Sequence, residues 1–262
     1  MLPDFEMIVR QFPEREDITI IPIADVHLGA RECMEQEFIK FIDSIKDKPN
    51  VYLILGGDLV NNSTRSSIGN GVFEDRIRPR EQKKMMAQIL APVSHKVLAA
   101  VGGNHEARSK KDADEDVTLE ILSKIDREEV YRENMAFLKL QFGDPKADGR
   151  NNPTYTLVVT HGAGGGMLTS GAVLRGERFG YAIDGMDALI MGHTHKPFTT
   201  VPGKIVIDKY NNLVTVKPFK VINMTSWLDY TGYAMQKMLL PTAHNLHTLT
   251  LCGRHKEMVV TM

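Results

Sequence analysis

An α/β fold is what this sequence predicts, and three observations carry the prediction. Short apolar runs such as Val51–Leu55 and Ala188–Met191 have the length and unbroken apolar character of buried strands. Between such runs lie segments with apolar residues at three- and four-residue spacing, the mark of a helix with one buried face. The third observation is a repeated ending: strand after strand stops at glycine together with Asp, Asn or His. In α/β sheets ligands bind beyond the carboxyl ends of the strands, so such endings can surround one pocket.

In chain order, Glu6–Gln11 and Ile18–Ala24 are expected strands, the second running into Asp25-Val26-His27-Leu28-Gly29. Phe38, Phe41, Ile42 and Ile45 define one helical face across Glu35–Lys46. The strand Val51–Leu55 ends in Gly56-Gly57-Asp58-Leu59, and the Ser-, Asn- and Gly-rich passage Asn61–Gly71 reads as a loop. A helix is expected over Arg80–Leu90, then a strand over Lys96–Val101 that ends in Gly102-Gly103-Asn104-His105-Glu106. The charged stretch Arg108–Asp116 is expected to lead into a helix ending near Ile125. Ala136–Phe142 and Tyr155–Thr160 read as strands on either side of a polar turn (Asp144–Pro153), the second ending in His161-Gly162. After a glycine-rich loop come a helix over Gly171–Ile183 and the strand Ala188–Met191, which leaves through Gly192-His193-Thr194-His195. From Phe198 to Met262 the pattern is short strand-like runs separated by Pro, Gly and Asn-Asn. No repeat, low-complexity segment or linker divides the chain, so residues 1–262 are expected to form one domain.

Composition narrows the functional classes. A hydrophobic fraction of 42% is ample for a core, and a net charge of −1 gives no overall pull towards nucleic acid or anionic lipid. Cys33 and Cys252 are too few and too far apart for a disulfide framework or a thiolate metal site. The acidic, proline-broken start is unlike a signal peptide, and no apolar run approaches the ~20 residues that span a bilayer. A soluble, cytoplasmic protein with no membrane partner is the expectation.

The strand endings hold metal-ligand types: Asp25 and His27, Asp58, Asn104 and His105, His161, and His193 with His195. Histidine is the commonest neutral metal ligand. In extended backbone, residues two apart point to one face, so His193 and His195 are placed to converge on a single small object. The remaining histidines, His95, His244, His247 and His255, follow no such pattern and read as surface or packing residues. With one histidine set aside there are still seven donors, more than the four to six that one ion uses. That surplus points to two metals sharing a carboxylate, and Asp58, alone in its loop, is the natural bridge. Two divalent cations ~3.5–4 Å apart form a clamp for in-line displacement at phosphorus, and they lower the pKa of a bound water.

Asp-x-His, Gly-Asp, Gly-Asn-His-Glu, His-Gly and Gly-His-x-His, in this order from Asp25 to His195, resemble the calcineurin-like metallophosphoesterase superfamily. The resemblance implies a four-layer sandwich of two mixed β-sheets flanked by helices. It implies that Asp25, His27, Asp58 and His195 hold one metal and that Asp58, Asn104, His161 and His193 hold the other. His105 would donate to the phosphoryl oxygen or protonate the leaving group, and Glu106 would orient His105. Gly57-Asp58-Leu59-Val60-Asn61-Asn62-Ser63 lacks the arginine of the Gly-Asp-x-Val-Asp-Arg-Gly run in protein Ser/Thr phosphatases. Asp-Val-His-Leu-Gly and Gly-Gly-Asp-Leu resemble the nuclease subunits of double-strand-break repair complexes, and Gly-His-Thr-His-x-Pro is shared with lipid A-pathway diphosphatases. Overall the chain is similar to stand-alone, often phage-encoded, metallophosphoesterases.

Other features weigh less. Met167 stands where a third glycine of a dinucleotide-binding turn would be, and the loop after His161 is not a Walker loop. It reads as a place of close backbone approach to the metal site. Arg108, Arg175 and Arg178 follow ligand loops, where a guanidinium can pair with a non-bridging phosphate oxygen, or they are solvated helix charges. The basic run Arg76–Arg80 with Lys83 and Lys84 reads as a solvated face, and Trp227, Tyr230 and Tyr233 as packing.

The expectation is a phosphoesterase with two divalent metal ions, manganese favoured over iron, zinc, nickel or cobalt. Its expected substrate is a phosphodiester in a nucleotide or nucleic acid. A phosphomonoesterase or nucleotide pyrophosphatase is the alternative, and a non-catalytic metal-bound scaffold is the alternative of another class, disfavoured by His105.

Overall fold

Residues 3–65, 67, 75–144, 152–166, 168–236 and 238–262 are described by a computed structural model. Parts of the loops expected over Asn61–Gly71 and Asp144–Pro153, and Met167, fall outside these residues. The strands β1 (Met7–Phe12), β2 (Ile18–Ile23), β3 (Val51–Leu55) and β4 (Val97–Val101) lie within a residue of their expected bounds. So do the helices α1 (Glu35–Ile45) and α2 (Pro79–Leu90).

The charged stretch after His105 differs from expectation. It is itself a helix, α3 (Glu106–Ala113), ended by Asp114 in the left-handed conformation (φ 55°). A second helix, α4 (Val117–Ser123), starts at once, capped by the Asp116 side chain accepting from the Leu119 N–H. The charges hid α3 because it buries only a narrow strip, in which Glu106 and Ser109 are polar.

The later chain supplies β5 (Tyr131–Arg132), β6 (Met135–Phe142), β7 (Thr154–Thr160), α5 (Thr169–Tyr181), β8 (Ala188–Met191) and β9 (Phe198–Thr200). It ends with β10 (Gly203–Asp208), β11 (Leu213–Pro218), β12 (Lys220–Asn223), the short α6 (Gly232–Gln236), β13 (Thr248–Leu251) and β14 (Met258–Thr261).

Two six-stranded sheets result, in the orders β14-β13-β2-β3-β4-β5 and β1-β6-β7-β8-β12-β9, and both mix parallel and antiparallel pairs. Alternation along each strand sets the layers. Ile20 and Ile54 pack with Leu138, Leu157 and Ile190 between the sheets. Ile21, Ile23, Leu53 and Leu55 face the other way, onto Phe38, Ile42, Met86 and Ile121 of the helices. On the far side Val158, Leu189 and Val221 pack against Ala172 of α5. The outcome is a four-layer sandwich, helix–sheet–sheet–helix. Pro22 sits in a buried strand at no cost in hydrogen bonding, because β13 pairs β2 only over Ile18–Ile20 and leaves that edge open.

Trp227 is buried against Phe38 and Phe41 (ring centroids 5.0 and 5.3 Å), and His244 packs edge-on against it with centroids 4.5 Å apart. His247 is buried too, and His255 is exposed. No described helix is long and apolar enough to cross a membrane.

Candidate metal centre

The carboxyl ends of β2, β3, β4, β7 and β8 meet at one place, and backbone bonds lock their loops to one another. Asp25 N–H donates to Gly57 O (3.0 Å), His27 N–H to Asp58 O (3.0 Å) and Gly192 N–H to His161 O (2.9 Å). Asp25, His27, Asp58, His193 and His195 all have positive φ, between 48° and 68°. Asp and His tolerate this region better than most residues, yet each such residue costs on the order of 1–3 kcal/mol. Strain concentrated on candidate ligands in this way is stabilised by the fold around it and marks a functional site.

That conformation also corrects the expected convergence of His193 and His195. Neither has extended backbone, so their rings part. His193 Nδ1 lies 2.7 Å from Asn104 Oδ1, whereas His195 Nε2 lies 3.1 Å from Asp25 Oδ1.

Each carboxylate divides its oxygens between fold and site. Asp25 Oδ2 accepts the His193 N–H (2.9 Å), and Asp58 Oδ1 accepts the His105 N–H (2.8 Å). The other oxygens face imidazole nitrogens. Asp25 Oδ1 is 3.8 Å from His27 Nε2, and Asp58 Oδ2 is 3.2 Å from His161 Nε2 and 3.8 Å from His27 Nε2. His161 Nδ1 donates to the Gly56 carbonyl (2.8 Å), which turns Nε2 towards Asp58 and Asn104. A Cβ on Gly103 would stand 2.2 Å from the Asp58 nitrogen and from Oδ1, so only glycine lets these loops close up.

Three overlapping groups of potential ligands emerge among the described residues: Asp25 with His27 and His195, Asp58 with His161 and His193, and, between them, His27 and Asp58 with His105. The residues fit divalent cations on their own chemistry. Asp25 Oδ1 is buried facing the ring nitrogens of His195 (3.1 Å) and His27 (3.8 Å), and His27 Nε2 faces His195 Nε2 at 3.3 Å. Nitrogen and oxygen lone pairs crowded together in this way are what hard or borderline cations satisfy. Burial alone would raise the Asp58 carboxyl, but the imidazoles of His161, His105 and His27 hold it well below the usual carboxylate range. Burial acts against a charge on His161, yet Asp58, first among its neighbours, pushes that imidazole up to about 10.

Glu106 departs from its expected task. Its carboxylate accepts backbone N–H groups of Asp58 (2.9 Å), Leu59 (2.6 Å), Val60 (3.2 Å) and Gly103 (3.1 Å), so it braces the Asp58 loop rather than the His105 ring. The His105 ring is set by others: Nδ1 donates to Asn61 O (2.8 Å), and Arg108 Nη2 donates to Nε2 (2.9 Å). Arg108 is therefore brought to the site. Arg175 donates to Ala163 O (2.7 Å) and lies against Gly164, bracing the glycine-rich loop, and Arg178 is exposed.

Asn62 was not singled out by its sequence. It is buried at φ 44°, and its Nδ2 donates to His105 O (2.9 Å) and Ser109 Oγ (3.0 Å) while its N–H donates to Gln82 Oε1 (2.8 Å). The one signal available was asparagine's tolerance of left-handed backbone directly after a ligand loop. Beside Asn104 and His161 lies a cavity of about 270 Å³, walled also by Lys110, Tyr131 and Glu133.

Residues 18–197 match the family model described as calcineurin-like phosphoesterase. The DNA polymerase II small subunit of Pyrococcus abyssi (strain GE5 / Orsay) is 31% identical over 121 residues, 40% of this chain and 19% of that protein. Its counterpart in Pyrococcus horikoshii is 30% identical over the same shares. The chain thus spans only about a fifth of the length of these curated relatives. Among solved structures, a metallophosphoesterase from Sphaerobacter thermophilus aligns with TM-score 0.35 and 17% identity over 80% of this chain and 77% of that one. Haemophilus influenzae NAD nucleotidase aligns with TM-score 0.42 and 10% identity over 94% of this chain and 49% of that one. With the matched model spanning well over half of its length, the chain belongs to the calcineurin-like phosphoesterase family, whose chemistry is metal-dependent hydrolysis of phosphate esters.

Proposed function

We propose that this chain is a dinuclear phosphoesterase that cleaves a phosphodiester in a nucleotide or nucleic acid, as a single domain over residues 1–262. Asp25, His27, Asp58 and His195 would hold one ion and Asp58, Asn104, His161 and His193 the other, with manganese favoured. The observation that carries this reading is the position of Asp58 Oδ2, 3.8 Å from His27 Nε2 on one side and 3.2 Å from His161 Nε2 on the other. Bound there, divalent cations neutralise phosphate oxygens and make water acidic enough to ionise near neutral pH.

The chain's own residues do the rest. His105, whose Nε2 is 3.9 Å from Asp58 Oδ2, stands at the edge of the ligand groups, where it would meet a phosphoryl or leaving-group oxygen. Its Nδ1 proton is held by Asn61 O, so proton exchange with the substrate runs through Nε2. Arg108, beside that nitrogen, is placed to pair with a non-bridging oxygen. Arg175 would act on the substrate through the glycine-rich loop it braces. The cavity beside Asn104 and His161 leaves room for the second ester group of a diester. The name of the sequence relatives, a DNA polymerase subunit, is in keeping with a nucleic-acid substrate.

A second reading, a phosphomonoesterase or nucleotide pyrophosphatase, is favoured by Arg108, since a dianionic terminal phosphate gains most from an added guanidinium. Hydrolysis of bis-(p-nitrophenyl) phosphate and p-nitrophenyl phosphate in Mn²⁺, at one pH, separates the two. A higher kcat/KM for the diester is expected; a clear preference for the monoester reverses the ranking.

A further inference from the structure

Among the described residues, strands β10 and β11 belong to neither main sheet and pair only with each other. The ribbon they form is well specified. Asp208 Oδ1 accepts the N–H groups of Tyr210 (3.0 Å) and Asn211 (3.1 Å), closing the turn. Ile205 pairs with Val216 and Ile207 with Val214, so these four β-branched side chains occupy one face. They are 75%, 67%, 73% and 69% exposed. The opposite face carries Lys204, whose Nζ bonds the Ile183 carbonyl and sits 5.3 Å over the Phe219 ring. That face touches the body of the protein through Lys204, while Thr215 and Lys217 on it are exposed, and the aliphatic face is exposed throughout.

This arrangement inverts what a solvated ribbon needs. An exposed strand face normally carries a charge that discourages association, but here Lys204 and Lys217 lie on the other side. A two-stranded ribbon is also marginal in water unless something packs on it. We propose that the face formed by Ile205, Ile207, Val214 and Val216 is a dimer contact, covered by the same face of a second copy of this chain.

Three features select a second copy as the occupant. The patch is close to symmetric, two isoleucines opposite two valines with no charge among them, so a two-fold mate covers it without burying an unpaired ion. A ribbon that depends on packing needs an occupant present whenever the chain is folded, and an identical chain meets that condition. The area suffices as well. One such face falls within the ~300–600 Å² of a large surface patch, and two together approach the ~1,000 Å² at the lower bound of a specific interface. Face-to-face packing of the two ribbons, about 10 Å apart, makes a small two-layer sandwich.

Sedimentation equilibrium of the full chain up to about 100 µM tests this, since interfaces near ~1,000 Å² lie at the weak end. The expected result is a mass moving towards twice 29.4 kDa as concentration rises. The double substitution Ile205→Lys with Val216→Lys should keep the far-UV circular dichroism and leave a 29.4 kDa monomer throughout, while Thr215→Lys on the other face should still dimerise. Hydrogen exchange of the unaltered chain gives a reading independent of how the variants fold. Protection of the amides of 203–208 and 213–218 should rise with protein concentration. A monomer at 100 µM, a dimer that survives both lysines, or exchange independent of concentration overturns the proposal. So does a monomer that instead floats with phosphatidylglycerol vesicles, which would make the face a lipid contact.

Discussion

Arg108 Nη2 lies 2.9 Å from His105 Nε2, a guanidinium donating to the one ring nitrogen that the Asn61 carbonyl leaves free. A carbonyl only accepts, so His105 Nδ1 carries the proton and Nε2 presents its lone pair. The backbone of His105 is held as firmly as its ring, through the Asn62 Nδ2 bond to His105 O (2.9 Å). The pair reads as proton-handling machinery placed next to the ligand groups.

His105 also lies within reach of His27 and Asp58 as one potential ligand set, so its role is open to a direct test. His105→Ala should lower kcat by roughly 10²–10⁴-fold, the usual weight of a positioned acid or base. Metal content of the purified variant, measured by plasma mass spectrometry, should match the parent. Loss of an ion would make His105 a ligand.

Asp58→Ala should be the most damaging single change. Its Oδ2 faces both groups, and its Oδ1 holds the His105 N–H (2.8 Å), so the ligands on either side and His105 lose their common support. Metal stoichiometry well below that of the parent and no measurable hydrolysis are expected. Full occupancy of two ions in the variant would end the bridging assignment.

Much of this site was legible because its chemistry is local. A ligand loop announces itself when a buried run such as Val51–Leu55 stops at Gly-Gly-Asp, and the strand periodicity around it needs no partner to be read. What stayed hidden depends on contacts distant in sequence. Glu106 reaches back 47 residues to Leu59, and nothing in Gly-Asn-His-Glu tells whether that carboxylate serves a ring or a loop. Asn62 looks like any loop asparagine until its bonds to α3 are seen. The parting of His193 and His195 is a backbone event, φ 68° and 56°, which side-chain alternation cannot anticipate. The isolated β10–β11 ribbon read simply as further strands, because strand character does not say which sheet a strand joins.

Glu106 offers a prediction that separates bracing from ligation. Glu106→Ala leaves four buried N–H groups without their acceptor, and each costs about 1–3 kcal/mol if water cannot replace it. Calorimetry should show a large fall in Tm, with metal affinity weakened alongside because the Asp58 loop is released. An unchanged Tm would mean that the loop is held by its other bonds.

The last prediction concerns acid stability, away from the metal centre. Lys83 of α2 has a side chain only 8% exposed and pairs with Glu115 and with Glu120 (2.6 Å). Burial works against the Glu120 carboxylate, but hydrogen bonds from Lys124 and Lys83 outweigh it and bring its pKa from 4.5 down to about 2. A carboxyl depressed in the folded state stabilises fully above its unfolded value, and that contribution is lost as pH falls from about 4.5 through about 2. Glu120→Gln should therefore lower stability at pH 7 and progressively less at pH 4 and pH 3. Its side chain is 34% exposed, so solvent screening keeps the neutral-pH effect to about 1 kcal/mol or less. Urea titrations of both proteins across this range measure the difference. A gap that stays constant down to pH 3 would assign the loss to packing between α2 and α4 instead of to the ion pair.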